Sequence, residues 1–287
     1  MGTNVLVTGS NGQLGLTIKE LYGLNDEGLN FTFVSKEELD ISNNQETTKI
    51  FTQNQFDYCI NCAAYTNVEQ AEVDVDEAFK VNAEGVQVLA HVCQLANVVL
   101  IHISTDYVFD GEAQQPYLES DVTKPINQYG KSKLKGEHYI QEIMERYFIL
   151  RTSWLYSQYG KNFLKTIISR IDKKESLKVV NSQTGTPTSA AFLAHIIFQI
   201  IKTGVNRYGI YHATPNGKTT WYGFAKEIAK HFKDYDSHKI QPVEEFTSLA
   251  PRPKYSVMSN SKAKKERFVF EDWEHYLKET ILRFELR

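Results

Sequence analysis

The chain has 287 residues, 41% of them hydrophobic and 23% charged, and its formal net charge is -3 at pH 7, which is ordinary for a globular protein. The small net charge gives no reason to expect nucleic acid or an anionic membrane surface as a partner, and no apolar run approaches the roughly 18 residues of a transmembrane helix. We therefore expect a cytoplasmic protein, long enough for one large α/β domain with a smaller C-terminal lobe.

Short apolar segments alternate with segments of helical periodicity through the first half of the chain. The strands are predicted at 5–8, 31–34, 58–62, 98–104 and 147–151, and the helices at 14–21, 73–96 and 131–146. Such alternation predicts an α/β fold with a Rossmann-like, doubly wound parallel sheet. After about residue 154 the pattern changes, and helices are predicted at 162–171, 190–202 and 220–232, with a strand at 178–180.

A glycine-rich turn separates the first predicted strand from the first predicted helix. Its glycines form a G-x-x-G-x-x-G pattern, which allows a tight turn, close approach of the backbone to a pyrophosphate, and close helix–strand packing. The helix N-terminus adds unpaired N–H groups and a positive partial charge. The dinucleotide-binding residues of this turn are predicted to be Gly9, Asn11, Gly12, Gln13, Leu14 and Gly15.

The second predicted strand ends at Val34 with no carboxylate at the strand end, where NAD-binding chains hold the adenosine ribose. Ser35 and Lys36 follow, and both suit a 2′-phosphate. We therefore expect NADPH to be accepted at least as well as NADH. Lys36 as a plain solvated side chain is an alternative of nearly equal weight, so the preferred cofactor stays open.

Three cysteines argue against a disulfide framework. Cys59 and Cys62 have the spacing of a redox motif, but they lie in an apolar stretch that is typical of a buried strand. Since alternate strand residues face opposite ways, their spacing puts the two sulfurs on opposite sides of the sheet. We expect packing rather than redox chemistry, and no metal site is predicted from the spacing of His, Cys and Asp residues.

The candidate catalytic residues come from two segments of the chain, one after a predicted strand and one on a predicted helix. Ser104, Thr105 and Asp106 follow the most apolar predicted strand, at the carboxyl end of the sheet, where ligands bind in such folds. Tyr129 and Lys133 have the i, i+4 spacing that shares one helix face. A nearby ammonium lowers the pKa of a tyrosine from about 10, which suits the phenol to proton transfer. Thr105, or Ser104, would hydrogen-bond a substrate oxygen; a cap on the following turn is its structural alternative.

Thr105, Tyr129 and Lys133 occur in the order of the hydroxyl–Tyr–Lys set of the short-chain dehydrogenase/reductase superfamily, which the chain resembles. The chain is similar to the dTDP-4-dehydrorhamnose reductase family in several longer segments: 12–15, 61–72, 102–111, 129–137, 151–156, 185–188, 209–212 and 252–253. The similarity spans roughly residues 4–256.

That family reduces the 4-keto group of a dTDP-6-deoxysugar with NAD(P)H, the last step toward dTDP-L-rhamnose for polysaccharide biosynthesis. The resemblance implies that Tyr129 protonates the developing alkoxide and that Lys133 orients the nicotinamide ribose. It implies further cofactor contacts at Gly12, Gln13, Leu14, Asp40, Ile41, Ala63, Ala64, Tyr65, Thr66 and Ile103. It implies substrate contacts at Thr105, Asp106, Trp154 and Arg252.

Trp154 would pack on a sugar ring and Arg252 would hold the nucleotide pyrophosphate. The alternatives are a core tryptophan and a surface ion pair. We assign residues 1–155 to an NAD(P)-binding Rossmann domain and 156–287 mainly to a substrate-binding lobe that interleaves with it. The resemblance also implies a dTDP-sugar partner and a monomer or homodimer. Some members of the family have magnesium at a carboxylate-rich dimer contact, but the Asp and Glu residues of this chain show no self-evident site for it.

Two other functions stay open at this point. A nucleotide-sugar epimerase or dehydratase shares the glycine turn and the Tyr–Lys pair, although a dehydratase would need a glutamate after Asp106, where this chain has Tyr107. A non-catalytic NADP-binding regulatory subunit, like the methionine adenosyltransferase β subunit, keeps the same fold. The intact Thr105, Tyr129 and Lys133 argue against it, since a subunit without turnover has no chemical need for them.

Overall fold

A parallel sheet of six strands forms the centre of the protein. The computed structural model describes residues 2–24, 28–245 and 247–285. The strands in these ranges are β1 (Thr3–Thr8), β2 (Leu29–Val34), β3 (Tyr58–Asn61), β4 (Val99–Thr105), β5 (Tyr147–Thr152), β6 (Leu155–Tyr156), β7 (Leu177–Val180), β8 (Thr184–Gly185), β9 (Thr188–Ser189), β10 (Gly209–His212), β11 (Thr219–Thr220) and β12 (Ile240–Val243).

The six strands of the sheet lie in the order β10-β5-β4-β3-β1-β2, and every neighbouring pair is parallel. The chain passes from β1 to β2 on one side and then returns to the other side of β1 for β3. This reversal opens a crevice at the carboxyl ends of β1 and β3, which is where open α/β sheets bind ligands. The register places Thr8 beside Asn61 and Asn61 beside His102 across three strands.

The described ranges also contain ten α-helices. They are α1 (Gln13–Tyr22), α2 (Asn44–Gln53), α3 (Val75–Phe79), α4 (Gly85–Leu95), α5 (Gln128–Ile143), α6 (Phe163–Asp172), α7 (Ala190–Thr203), α8 (Trp221–Ala229), α9 (Ser261–Lys264) and α10 (Trp273–Glu285). None of the described helices is long and apolar enough to cross a membrane.

Helices cover both faces of the sheet, because consecutive strand residues point to opposite sides. Val5 and Val7 join α1 and α7 in one apolar cluster, whereas Leu6 joins α2, α4 and α5 in another. Cys59 lies in the second cluster, and Cys62 packs against the first, so the two sulfurs are on opposite sides of the sheet. The predicted Rossmann-like, doubly wound fold is confirmed.

The residues after position 155 contribute to two places. Helices α6, α8 and α10 pack around a third apolar cluster with β7 and β12, which forms a separate lobe. Strand β10, however, pairs with β5 at the edge of the main sheet, and α7 packs beside α1. The two parts of the chain therefore interleave in the sheet itself, while the domain boundary at 155 stays a prediction.

Two predicted helices differ from the observed ones. The stretch 73–96 is a single predicted helix, but the structure has α3, a π-helical turn at Lys80–Glu84 and then α4. The helix predicted at 131–146 begins instead at Gln128, because Asn127 caps its first turn by accepting a hydrogen bond from the Gly130 N–H at 2.8 Å. The helix ends at Ile143, so Tyr129 lies in its first turn.

Candidate active site

A cavity of about 710 Å³ lies at the carboxyl ends of the central strands. Most of the predicted site residues line it: Gly9, Asn11, Gly12, Gln13, Leu14, Lys36, Asp40, Ile41, Ala63, Ala64, Tyr65, Thr66, Ile103, Thr105, Asp106, Tyr129, Lys133 and Trp154. Gly15 and Arg252 are described but do not line it. The predicted glycine turn and the predicted catalytic set therefore share one cavity.

The three glycines of the turn have three different surroundings. Gly9 has a φ of +64°, and a Cβ there would come within 2.6 Å of the Ala63 backbone nitrogen. A Cβ on Gly15 would lie 2.6 Å from the Ser10 Cα, which explains why Gly15 serves helix packing without lining the cavity. A Cβ on Gly12 would meet one atom, the Gly9 carbonyl oxygen at 3.2 Å, beside the open cavity. A turn that keeps a bare backbone at the N-terminus of α1 fits a dinucleotide pyrophosphate.

Gln13 connects this turn to the second lobe. Its Oε1 accepts hydrogen bonds from Asn162 Nδ2 at 2.9 Å and from Ser157 Oγ at 3.2 Å. The connected segment brings Gly160 and Lys161 to the cavity wall. Lys161 is a site cation that sequence reasoning missed, because it lies after the predicted Rossmann domain and outside the family-like segments.

At the other end of the cavity, the strand end of β2 carries Lys36. Its ammonium is 3.6 Å from the Glu77 carboxylate, and its side chain is 68% exposed. Glu37 also lines the cavity, and Glu38 Oε2 accepts the Ser35 N–H at 2.7 Å. Carboxylates thus lie close to the strand end, although none occupies the strand end itself.

Thr105 is the last residue of β4, and its hydroxyl forms hydrogen bonds with the two residues that follow it. Oγ1 accepts the Tyr107 N–H and donates to Asp106 Oδ1, both at 3.1 Å. Thr105 therefore caps the short 3-10 turn Asp106–Val108, as the structural alternative expected, and it also lines the cavity. A Cβ on Gly130 would lie 2.2 Å from the Tyr107 carbonyl oxygen, so this glycine lets α5 pack against the turn and brings Tyr129 to Thr105.

The ionisation of Tyr129 differs from the prediction. Burial raises the pKa of its phenol to about 12; a hydrogen bond with Thr105 lowers that pKa and the Asp106 charge raises it. Lys133 Nζ donates to the Ile103 carbonyl oxygen at 2.7 Å, on the side of β4. The prediction that Lys133 lowers the Tyr129 pKa is therefore wrong for this structure, because the ammonium is held by the strand and burial of the phenol dominates.

Lys133 and Asp106 are both deeply buried, and both have unusual ionisation. Burial lowers the pKa of Lys133 to about 8, with the Glu137 carboxylate and, to a lesser degree, the Cys62 thiol acting against it. Burial raises the pKa of Asp106 to about 6, with hydrogen bonds from Ser256 and Thr105 acting against it. Perturbed groups that share a cavity are typical of a catalytic site.

Trp154 and Arg252 have partners within the protein. Trp154 has a φ of 48° and its ring stacks on Trp221 with centroids 3.6 Å apart, so one indole face is covered. A Cβ on Gly185 would lie 2.6 Å from Cε2 of the indole, so the glycine makes room for the ring. Arg252 forms an ion pair with Glu69 at 2.7 Å, which matches the surface ion pair expected as the alternative to a pyrophosphate contact. The substrate contacts of Trp154 and Arg252 stay predictions.

A buried ion pair beneath the site was also missed. The carboxylate of Glu137 accepts the Ser104 hydroxyl at 2.5 Å and Arg151 Nη2 at 2.7 Å. Glu137 follows Lys133 at the same i, i+4 spacing that connects Lys133 to Tyr129, so this helix face was a usable signal. Within the described ranges, no group of three or more His, Cys, Asp or Glu side chains is placed to hold a metal ion, so the magnesium prediction gains no support.

The glycine turn at a helix N-terminus, the crevice at the strand reversal and the Thr–Tyr–Lys set define the class of protein: an NAD(P)-dependent enzyme of the short-chain dehydrogenase/reductase type. The fold agrees with a solved UDP-glucose 4-epimerase from Thermus thermophilus in complex with NAD, with a TM-score of 0.79 over 93% of this chain and 94% of that one, at 19% identity.

The chain belongs to the dTDP-4-dehydrorhamnose reductase family, since the family model described as RmlD substrate binding domain matches residues 3–286. It is 36% identical to the dTDP-4-dehydrorhamnose reductase of Aggregatibacter actinomycetemcomitans, over 96% of this chain and 97% of that relative. It is also similar to the crystal structure of dTDP-4-dehydrorhamnose reductase from Bacillus anthracis str. Ames in complex with NADP, with a TM-score of 0.93, 38% identity, and coverage of 99% and 100%.

Proposed function

We propose that this protein uses NAD(P)H to reduce the 4-keto group of dTDP-4-dehydro-L-rhamnose, giving dTDP-L-rhamnose. The observation that carries the proposal is the meeting of Thr105, Tyr129 and the glycine turn in one cavity of a chain of this family. When bound, the nicotinamide supplies the hydride. The residues that would hold the cofactor are those of the glycine turn together with Lys36, Asp40, Ile41, Ala63, Ala64, Tyr65, Thr66, Ile103 and Lys133.

The side chains of the site divide the remaining work. Thr105 Oγ1 and the Tyr129 hydroxyl both line the cavity, so both can face one substrate oxygen. To donate to that oxygen, Thr105 would give up its hydrogen bond to Asp106 Oδ1. A phenol with a pKa of about 12 is almost fully protonated at neutral pH, so Tyr129 enters the reaction with a proton to give. Tyr129 then donates this proton to the oxygen that becomes the alcohol. Lys133, which lines the same cavity, would orient the nicotinamide ribose.

We further propose that NADPH is accepted at least as well as NADH, with Lys36 as the partner of the 2′-phosphate. Its ammonium lines the cavity and is exposed enough to leave Glu77 for a phosphate. Free thiols at Cys59, Cys62 and Cys93 are consistent with the cytoplasmic location that we propose. Monomer or homodimer stays a prediction, and no metal is part of the proposed reaction.

The test is to supply dTDP-4-dehydro-L-rhamnose and to follow the absorbance of NADPH and of NADH. We expect oxidation that depends on the sugar, and a turnover lowered by a factor of about 10² or more in Tyr129→Phe, which loses the proton donor but keeps the ring. Tyr139→Phe is a matched control on the same helix, outside the cavity lining. Near wild-type turnover in Tyr129→Phe would contradict the mechanism. Cofactor binding without oxidation would favour the regulatory alternative, and retained NAD with sugar isomerisation would favour an epimerase.

A further inference from the structure

A row of buried polar side chains crosses the sheet below the cavity and ends at Lys133. Thr8 Oγ1 donates to Asn61 Oδ1 at 2.7 Å, and Asn61 Nδ2 lies 3.0 Å from His102 Nδ1. His102 Nε2 lies 3.2 Å from Lys133 Nζ. None of the four side chains is more than 2% exposed. Each hydrogen that lies between two neighbouring side chains of this row must therefore be accepted by one of them or be absent.

The orientation of the Asn61 amide fixes the histidine tautomer. The Ala63 backbone N–H donates to Asn61 Oδ1 at 3.2 Å, and a backbone N–H acts as a donor alone. The amide oxygen therefore faces Ala63, and the NH₂ group faces His102. His102 Nδ1 must accept that hydrogen bond, so a neutral imidazole carries its proton on Nε2. Burial keeps the imidazole neutral, because it lowers the pKa of His102 well below its ordinary value.

The Nε2–H group then faces the nitrogen of Lys133. An ammonium has no lone pair, so a charged Lys133 would place donor against donor at 3.2 Å. An uncharged amine accepts from Nε2–H and still donates to the Ile103 carbonyl oxygen at 2.7 Å. The other titratable groups that act on Lys133 are Glu137 on α5 and Cys62 after β3, and both favour the ammonium. His102 and burial act in the opposite direction.

We propose that His102 is a positioning residue for Lys133: its Nε2–H, held in place by Asn61, opposes the ammonium and so lowers the pH at which Lys133 loses its proton. Its consequence for catalysis rests on the proposed reductase function. Lys133 serves the site as a cation only below that pH, so the His102–Asn61 pair sets the pH above which catalysis declines.

The tautomer is measured on the free protein by long-range ¹H–¹⁵N correlation NMR with ¹⁵N-labelled histidine, and the Lys133 titration by the ¹³Cε shift of labelled lysine. We expect His102 with Nδ1 unprotonated and Nε2 protonated, and a Lys133 midpoint near the pKa of about 8 that its burial gives. A proton on Nδ1 in the wild-type protein would overturn the proposal. This measurement needs no variant and no bound cofactor.

Asn61→Asp is the variant that reverses the tautomer. A carboxylate at position 61 accepts from both Ala63 N–H and His102 Nδ1–H, which frees Nε2 to accept from the Lys133 ammonium. We expect the tautomer to switch and the Lys133 midpoint to rise by about one pH unit or more. Thr8→Val is the matched control, since it removes a buried hydroxyl of the same row but leaves the Ala63 N–H to orient the amide. An unchanged tautomer in Asn61→Asp, or a switched one in Thr8→Val, would overturn the proposal.

The reductase assay supplies a separate readout. We expect the alkaline limb of the kcat/KM profile with NADPH to move upward with the Lys133 midpoint in Asn61→Asp and to stay in place in Thr8→Val. An alkaline limb that does not follow the midpoint would overturn the catalytic part of the proposal. A wild-type protein with the expected tautomer but no reductase activity would overturn the proposed function and leave the proposal for His102 intact.

Discussion

Replacing Arg151 by methionine should destabilise the protein far more than the loss of one surface ion pair. The carboxylate of Glu137 is fully buried, and Arg151 donates to it from Nε at 3.0 Å and from Nη2 at 2.7 Å. The Ser104 hydroxyl is its other polar partner in the hydrogen-bonded group. Arg151→Met keeps much of the side-chain volume but leaves a buried charge with one hydroxyl, and breaking a buried pair in this way costs about 3–5 kcal/mol.

The assay is urea unfolding at pH 7 with an unchanged m value. Arg170→Met is the matched control, because Arg170 pairs with Glu175 on the surface and its side chain is 54% exposed, so we expect a loss of about 0–1 kcal/mol. Equal losses in the two variants would refute the reasoning.

Three further predictions concern the cavity. Gly15→Ala should lower the free energy of unfolding in urea by about 1–3 kcal/mol, because its Cβ would lie 2.6 Å from the backbone. Gly12→Ala should keep the stability of the wild-type protein but weaken NADPH binding in a fluorescence titration. A stability loss in Gly12→Ala and a binding loss alone in Gly15→Ala would contradict the two assignments. Lys36→Ala should raise the Kd for NADPH about fivefold and leave the Kd for NADH unchanged. Lys49→Ala, outside the cavity lining, should change neither Kd. An equal rise of the Kd for both cofactors would count against a 2′-phosphate contact. The contribution of Asp106 to stability should fall from pH 3.8 to about 6, since its raised pKa favours folding while the carboxyl is protonated. The free energy of unfolding in urea should therefore fall relative to that of Asp106→Asn over this range, and parallel curves for the two proteins would contradict it.

The fold and the cavity lining were accessible from sequence where the signal is local. The apolar strands β1 and β4, the glycine turn between β1 and α1, and the i, i+4 spacing of Tyr129 and Lys133 each depend on neighbours in the chain. Strand β10 was not identified as a strand, because it is only Gly209–His212 and its pairing with β5 is not encoded in its own periodicity.

The pKa values of the site residues could not be predicted from the sequence. The spacing of Tyr129 and Lys133 places them on one helix face, but the direction of the Lys133 ammonium depends on the Ile103 carbonyl and His102 of a distant strand. The same holds for the pKa of Tyr129, which burial sets. The Asn127 cap, in contrast, was readable: an asparagine before a helix is a typical start signal, and its use would have placed the helix start correctly.

The pairing of β10 with β5 also bears on how the chain folds during synthesis. Until α7 leaves the ribosome, the apolar face beside α1 is uncovered, and until β10 follows, β5 presents an unpaired edge. A nascent chain or a fragment that ends at residue 155 would therefore expose both an open strand edge and a large apolar surface. Such a fragment should aggregate rather than fold as a separate cofactor-binding module.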